Sequence, residues 1–96
     1  MSNRKKYIHG SIRRYYQEDV YFGNKRVRFR SHAILRAIQR QIAFPQQVLW
    51  VIETGRVVRF GKHGIKFIKR SSKGDIVCVG EELGDRIIIK TVERGN

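Results

Sequence analysis

Between Arg26 and Arg40 the hydrophobic period changes from two to 3.6 at a single residue, and that junction restricts the fold more than any other stretch. Arg26 to Arg30 alternates strictly, with Val27 and Phe29 on one side and Arg26, Arg28 and Arg30 on the other. This predicts a half-buried strand with a cationic outer face. Ser31 to Arg40 then reads as a helix, with Ser31 at a natural N-cap position. Ile34, Leu35, Ile38 and Ile42 form its predicted core stripe, and His32, Arg36 and Arg40 share the neighbouring stripe at i, i+4 and i+8. Cationic groups one turn apart repel each other, so this stripe is suited to an anion such as a phosphate.

The helix is expected to run to about Gln41, because proline disfavours helical geometry at Phe44 and suits the first turn of a new helix at Pro45. The second helix, Pro45 to Thr54, buries Val48, Leu49, Val51 or Ile52 and part of Trp50, and Gly55 closes it as a left-handed C-cap. From Arg56 the texture is strands and turns. Runs at 56–60, 65–70, 75–79 and 86–92 are separated by Gly61 to Gly64, Ser71 to Gly74, and Gly84-Asp85. Short links of this kind predict a four-stranded antiparallel meander. The runs Ile76 to Val79 and Ile87 to Ile89 do not alternate, so their strands should be central or covered on both faces. Alternation places Lys66 with Arg70 on one face, and Lys90 with Val92 on another, Thr91 pointing the opposite way. The fold class is therefore α+β. Residues 25–96 form one domain, preceded by a basic, aromatic-rich arm over 1–24 that carries Arg13 and Arg14 and one short strand or helical turn around Ile12 to Tyr21.

Charge narrows the partners. The formal net charge is +13 over 96 residues, an excess that destabilises a compact chain unless an anionic partner relieves it. It is concentrated in front: residues 1–30 hold nine Lys/Arg against two acids and residues 31–70 hold eight against Glu53 alone, whereas residues 71–96 hold four against five acids. Nucleic acid is the first partner to consider, then an acidic antitoxin-like protein, and third an anionic membrane surface. A second apolar sheet face would allow a homodimer. In the arm, interleaved Arg and Tyr could stack bases and hold phosphates, or the aromatics could simply pack. Arg28, Arg30, Arg40, Lys66, Arg13 and Arg14 are the candidate nucleic-acid contacts. Read blandly, Lys66, Arg70 and Lys90 are surface charges, and Arg36 and Arg40 are solvated helix charges or partners of Glu53.

Several chemistries find no support. His9, His32 and His63 lie far apart, and no Cys/His spacing matches a zinc site, so neither a metal nor another cofactor is expected. No phosphate-binding glycine loop is present. Cys78 is the only cysteine, within the apolar run Ile76 to Val79, which reads as a buried thiol in a reducing compartment. No stretch is long and apolar enough for a transmembrane helix or a signal peptide, so a cytoplasmic location is expected. What remains is metal-independent phosphoryl chemistry, in which an imidazole moves protons and arginine forks neutralise the phosphate.

The segment His32-Ala33, Arg36, Arg40, Ile42, followed by a second helix ending Ile52-Glu53-Thr54-Gly55 and continuing Arg56-Val57-Val58, resembles domain-of-unknown-function family 4258. The resemblance runs on through Arg70, Ile76 to Val79 and the closing Lys90-Thr91-Val92, about two-thirds of the chain. That family is grouped with RelE-like toxins in the barnase, EndoU and colicin ribonuclease fold. The resemblance implies two N-terminal helices packed on a four-stranded antiparallel sheet. It also implies metal-independent RNA cleavage, as by the toxin of a toxin–antitoxin pair, with His32, Arg36, Arg70 and Thr91 as site residues.

Overall fold

The computed structural model describes residues 19–95. The alternating segment becomes a strand, β2 (Lys25–Phe29), which sends Val27 and Phe29 into the core. It is preceded across a turn at Gly23-Asn24 by a short β1 (Val20–Phe22) and followed at once by α1 (Ser31–Gln39). Then come α2 (Gln46–Thr54), β3 (Arg56–Phe60), β4 (Gly64–Ser71), β5 (Gly74–Leu83) and β6 (Arg86–Arg94).

All six strands form one sheet in the order β1-β2-β6-β5-β4-β3. This corrects the expected four-stranded antiparallel sheet in two ways. The sheet gains β1 and β2, and it is mixed, because β2 runs parallel to β6 from Arg26↔Arg86 to Phe29↔Ile89 while every other pair is antiparallel. The parallel pair follows from connectivity: β2, α1 and α2 return the chain to the far edge of the sheet, and the meander β3 to β6 then delivers its last strand against β2. Such pairing is non-local, and no short-range pattern announces it.

One face of the sheet carries the helices. Val27, Phe29, Ile65, Phe67, Ile76, Cys78, Ile87, Ile89 and Val92 are buried on it, against Ala33, Ile34 and Ala37 of α1 and Val48, Val51 and Ile52 of α2. Phe22 and Phe44 close the sides, edge-on to Phe67 and Phe29. Burying each such aromatic or branched side chain contributes about 1.5–3 kcal/mol. Among the described residues no helix lies on the opposite face. Its apolar residues, Val58, Ile68, Val77, Val79 and Ile88, are only half-buried, so the non-alternating runs lie in central strands that, among the described residues, are covered on one side.

Several local expectations are corrected. Ile34 and Ile42 are buried as expected, but Leu35 and Ile38 are 52 % and 54 % exposed, and their places in the seating stripe of α1 are taken by Ala33 and Ala37, whose small side chains let the helix approach β6 closely. Ser31 is the first residue of the helix and makes no capping bond; Arg30 occupies the N-cap, its carbonyl accepting from the N–H groups of Ala33 and Ile34. α1 stops at Gln39, with Gln41 at φ 59°. Pro45, joined to Phe44 by a cis peptide bond, sits just outside α2. Gly55 is extended (φ −79°, ψ 170°), not left-handed. It is required for a different reason: a Cβ there would lie 2.5 Å from the Val51 carbonyl and 2.8 Å from that of Ile68, where the helix end meets β4.

Candidate nucleic-acid interface

A single inserted residue decides which side chains of β6 face the open side. Gly80 pairs with Ile89, but Val79 pairs with Thr91, so Lys90 has no opposite number. This β-bulge reverses the alternation after Ile89. Val92 enters the core, whereas Thr91 and Glu93 join Ile88 on the open face, so the expected pairing of Lys90 with Val92 on one face is corrected. Glycine at 80 permits the bulge, because a Cβ there would collide with the carbonyl of Ile88.

β2 stops pairing with β6 at Ile89, and α1 takes its place beside the last residues of the strand. There the Glu93 carboxylate collects three partners. Arg40 donates from Nε at 2.8 Å and approaches from Nη2 at 2.7 Å; Arg36 Nη2 lies at 3.5 Å; the Thr91 hydroxyl donates at 2.6 Å. These bonds hold the Glu93 carboxyl below the usual carboxylate range, the Thr91 hydrogen bond contributing most and the two guanidinium groups next, against a partial desolvation that acts the other way. Arg36 Nε is buried and has no hydrogen-bond partner among the described residues. The arginines thus pair with Glu93, not with Glu53. Arg94 adds a second tie, its guanidinium donating to the carbonyls of Arg40 and Gln41 at 3.4–3.5 Å.

The helical positions explain the ranking. At about 100° per residue, Arg40 lies nearest the buried arc of Ala33 and Ala37, Arg36 about 40° further round and His32 about 40° beyond that. Arg40 accordingly makes the shortest contacts, while His32 is exposed and has no hydrogen-bond or ion-pair partner among the described residues. Arg36, Arg40 and Thr91 are brought together. His32 shares their helix but not their contacts. Arg70 stays apart: it is on the open face of β4, 86 % exposed, at 3.9 Å from Asp75. Glu93, which organises the cluster, has no motif of its own. Its only sequence signal is its place two residues after Thr91, which matters once the bulge is known.

The remaining candidates line the open face more widely. Arg86 lies opposite Arg26 and diagonal to Arg28, which pairs with Ile88 across β2 and β6, and Arg30 is exposed just past the end of β2. Lys66 Nζ sits over the Phe60 ring, 5.4 Å from its centroid. Arg13 and Arg14 lie outside the described residues. Among the described residues no group of His, Cys, Asp and Glu could hold a metal ion, and no helix is long and apolar enough to cross a membrane. Cys78 is buried, and burial pushes its thiol up to about 12. Among the described residues the fold is a mixed six-stranded α+β sheet with two helices on one side and a basic face on the other. No family model, no curated protein and no solved structure matches the chain.

Proposed function

We propose that this protein binds RNA on the open face of its sheet. One observation carries the reading. On that face Asp75 pairs with Arg70, Glu81 with Lys90, Glu93 with Arg36 and Arg40, and Asp19 with Arg26, which leaves Asp85 as one unpaired carboxylate against Arg28, Arg56 and Arg86, none of which makes an ion pair among the described residues. Uncompensated guanidinium groups around a half-buried apolar platform suit a chain of phosphates whose bases lie on the sheet. Affinity for a single-stranded RNA should fall log-linearly with salt, with a slope of about −0.7 per neutralised phosphate. Fluorescence anisotropy of a labelled RNA oligonucleotide across a potassium chloride series tests it. Folded protein that does not bind at low salt, or binding indifferent to salt, would refute it.

A second reading, metal-independent cleavage, draws on the α1–β6 cluster: an ionised carboxylate, two guanidinium groups and a hydroxyl, on the helix that carries His32. In such a reaction a base takes the proton of a 2′-hydroxyl, the 2′-oxygen attacks phosphorus, and the P–O5′ bond breaks. The leaving 5′-oxygen then takes a proton from an acid, and a 2′,3′-cyclic phosphate remains. Arginines stabilise the charge on the phosphorane oxygens. Incubation with mixed RNA in excess chelator should give cyclic-phosphate ends, and His32→Ala should abolish cleavage while leaving binding intact. Intact RNA with the wild-type protein would remove this reading without touching the first.

A further inference from the structure

At the end of the sheet away from Glu93, the β1–β2 hairpin and the β5–β6 turn enclose an open groove of about 430 Å³, lined by Tyr21, Asn24, Arg26, Arg28, Asp85 and Arg86. Its size falls in the range of roughly 300–1,000 Å³ usual for small-ligand sites, but its lining is charged. The two walls are tied together: the Arg26 N–H donates to the Asp85 carbonyl at 3.1 Å, and Lys25 Nζ to that of Gly84 at 2.7 Å. Arg26 is fully committed. Its guanidinium lies 5.8 Å from the Tyr21 ring centroid, donates to the Tyr21 hydroxyl at 3.2 Å and approaches Asp19 at 3.6 Å. It therefore holds in place a ring that is still 49 % exposed. Arg28 and Arg86 line the same groove and make no ion pair among the described residues, so their two charges exceed the single one of Asp85, which also lines it. A fixed aromatic ring beside two unpaired guanidinium groups is the composition that accepts one base and its phosphate.

We infer that this groove is a nucleotide subsite, in which Tyr21 stacks a base and Arg28 and Arg86 hold the adjoining phosphate of a single-stranded RNA. The inference rests on the RNA-binding reading and gives it a place and a direction. From Arg86 to Glu93 is about 20 Å along β6, at about 3.3 Å per residue and discounting the bulged Lys90. The strand leaves the groove over Ile88 and reaches the Arg36–Arg40 cluster at the other end. Occupying both ends takes at least about four nucleotides, the lower limit for single-strand platforms.

The test is anisotropy of the full chain with a 5′-labelled decauridine across a salt series. Arg28→Gln and Arg86→Gln should each reduce the salt slope by about 0.7. Tyr21→Leu should weaken binding roughly 5- to 150-fold with the slope unchanged, and Tyr21→Phe should restore it, since stacking needs only the ring. Arg56→Gln, at the far edge of the sheet, should leave the Tyr21 effect untouched. Glu93→Gln, which frees Arg36 and Arg40 at the other end, should steepen the salt slope for the decauridine and leave that for a labelled dinucleotide unchanged. If the Tyr21, Arg28 and Arg86 variants, folded by circular dichroism, bind decauridine with wild-type affinity and slope, the subsite is refuted while RNA binding stands. If wild type binds no RNA, both readings fall.

Discussion

Glu93→Gln should make the protein less stable and a better binder of RNA at once. The carboxylate accepts from Arg40, Arg36 and Thr91, and glutamine keeps its shape but loses the charge. Hydrogen bonds to charged groups contribute about 1.5–3 kcal/mol when buried and exposed ion pairs about 0.2–1. The three side chains of the ion pairs are about one-third exposed, which places the pair of interactions between those limits. A loss of about 1–2 kcal/mol follows, or roughly 5–15 °C in melting temperature for a domain this small. A double-mutant cycle with Arg40→Met should give a coupling energy of at least about 0.5 kcal/mol. The pH dependence has a definite sign. The Glu93 carboxyl is lowered from an ordinary 4.5, so its stabilisation is complete above that value and is lost as pH falls through the folded-state value. Melting temperatures of wild type and variant should therefore differ at pH 7 and converge in acid. The same substitution frees Arg36 and Arg40, so the salt slope for RNA should steepen by up to about 1.4. Equal melting temperatures at pH 7 with no coupling to Arg40 would show that Glu93 is no clamp, and the account of the α1–β6 junction would fail.

Other expectations concern single positions. Gly80→Ala drives a Cβ into the Ile88 carbonyl and should cost more than about 2 kcal/mol in chemical denaturation; a neutral effect would mean that the strand does not need the bulge. Cys78 should resist thiol-specific labelling at pH 8 in the folded protein and react promptly in denaturant, since burial raises its thiol to about 12; rapid labelling of the native chain would contradict the core. Glu82, bonded to Arg59 through both oxygens, is also lowered from 4.5. The doubly substituted Glu82→Gln/Glu93→Gln protein should consequently show a flatter stability profile than wild type between pH 6 and acid, and an unchanged profile would locate the acid sensitivity elsewhere.

Much of this was legible in the chain itself. The alternation at 26–30 is enough to bury Val27 and Phe29 and to turn Arg26, Arg28 and Arg30 to the other face, because a strand has only two faces. The Gly-bounded turns mark the strand ends, and the charge distribution sets the expectation of an anionic partner. Within α1, periodicity identified a cationic stripe, but it placed Leu35 and Ile38 in the core where the structure buries Ala33 and Ala37. Hydrophobicity ranks the larger residues first, whereas a helix lying close against β6 needs small ones at the contact.

What the tertiary structure alone decided is non-local. Parallel pairing of β2 with β6 joins residues some sixty positions apart, and it determines that α1 ends beside Thr91 and Glu93. The bulge at Lys90 adds one residue that a count by twos cannot detect, and everything after it changes face. His32, Arg36 and Arg40 were visible as a stripe from their spacing. Which of them is held, and by which carboxylate, depends on how far each is turned toward a strand that the chain reaches only at its end.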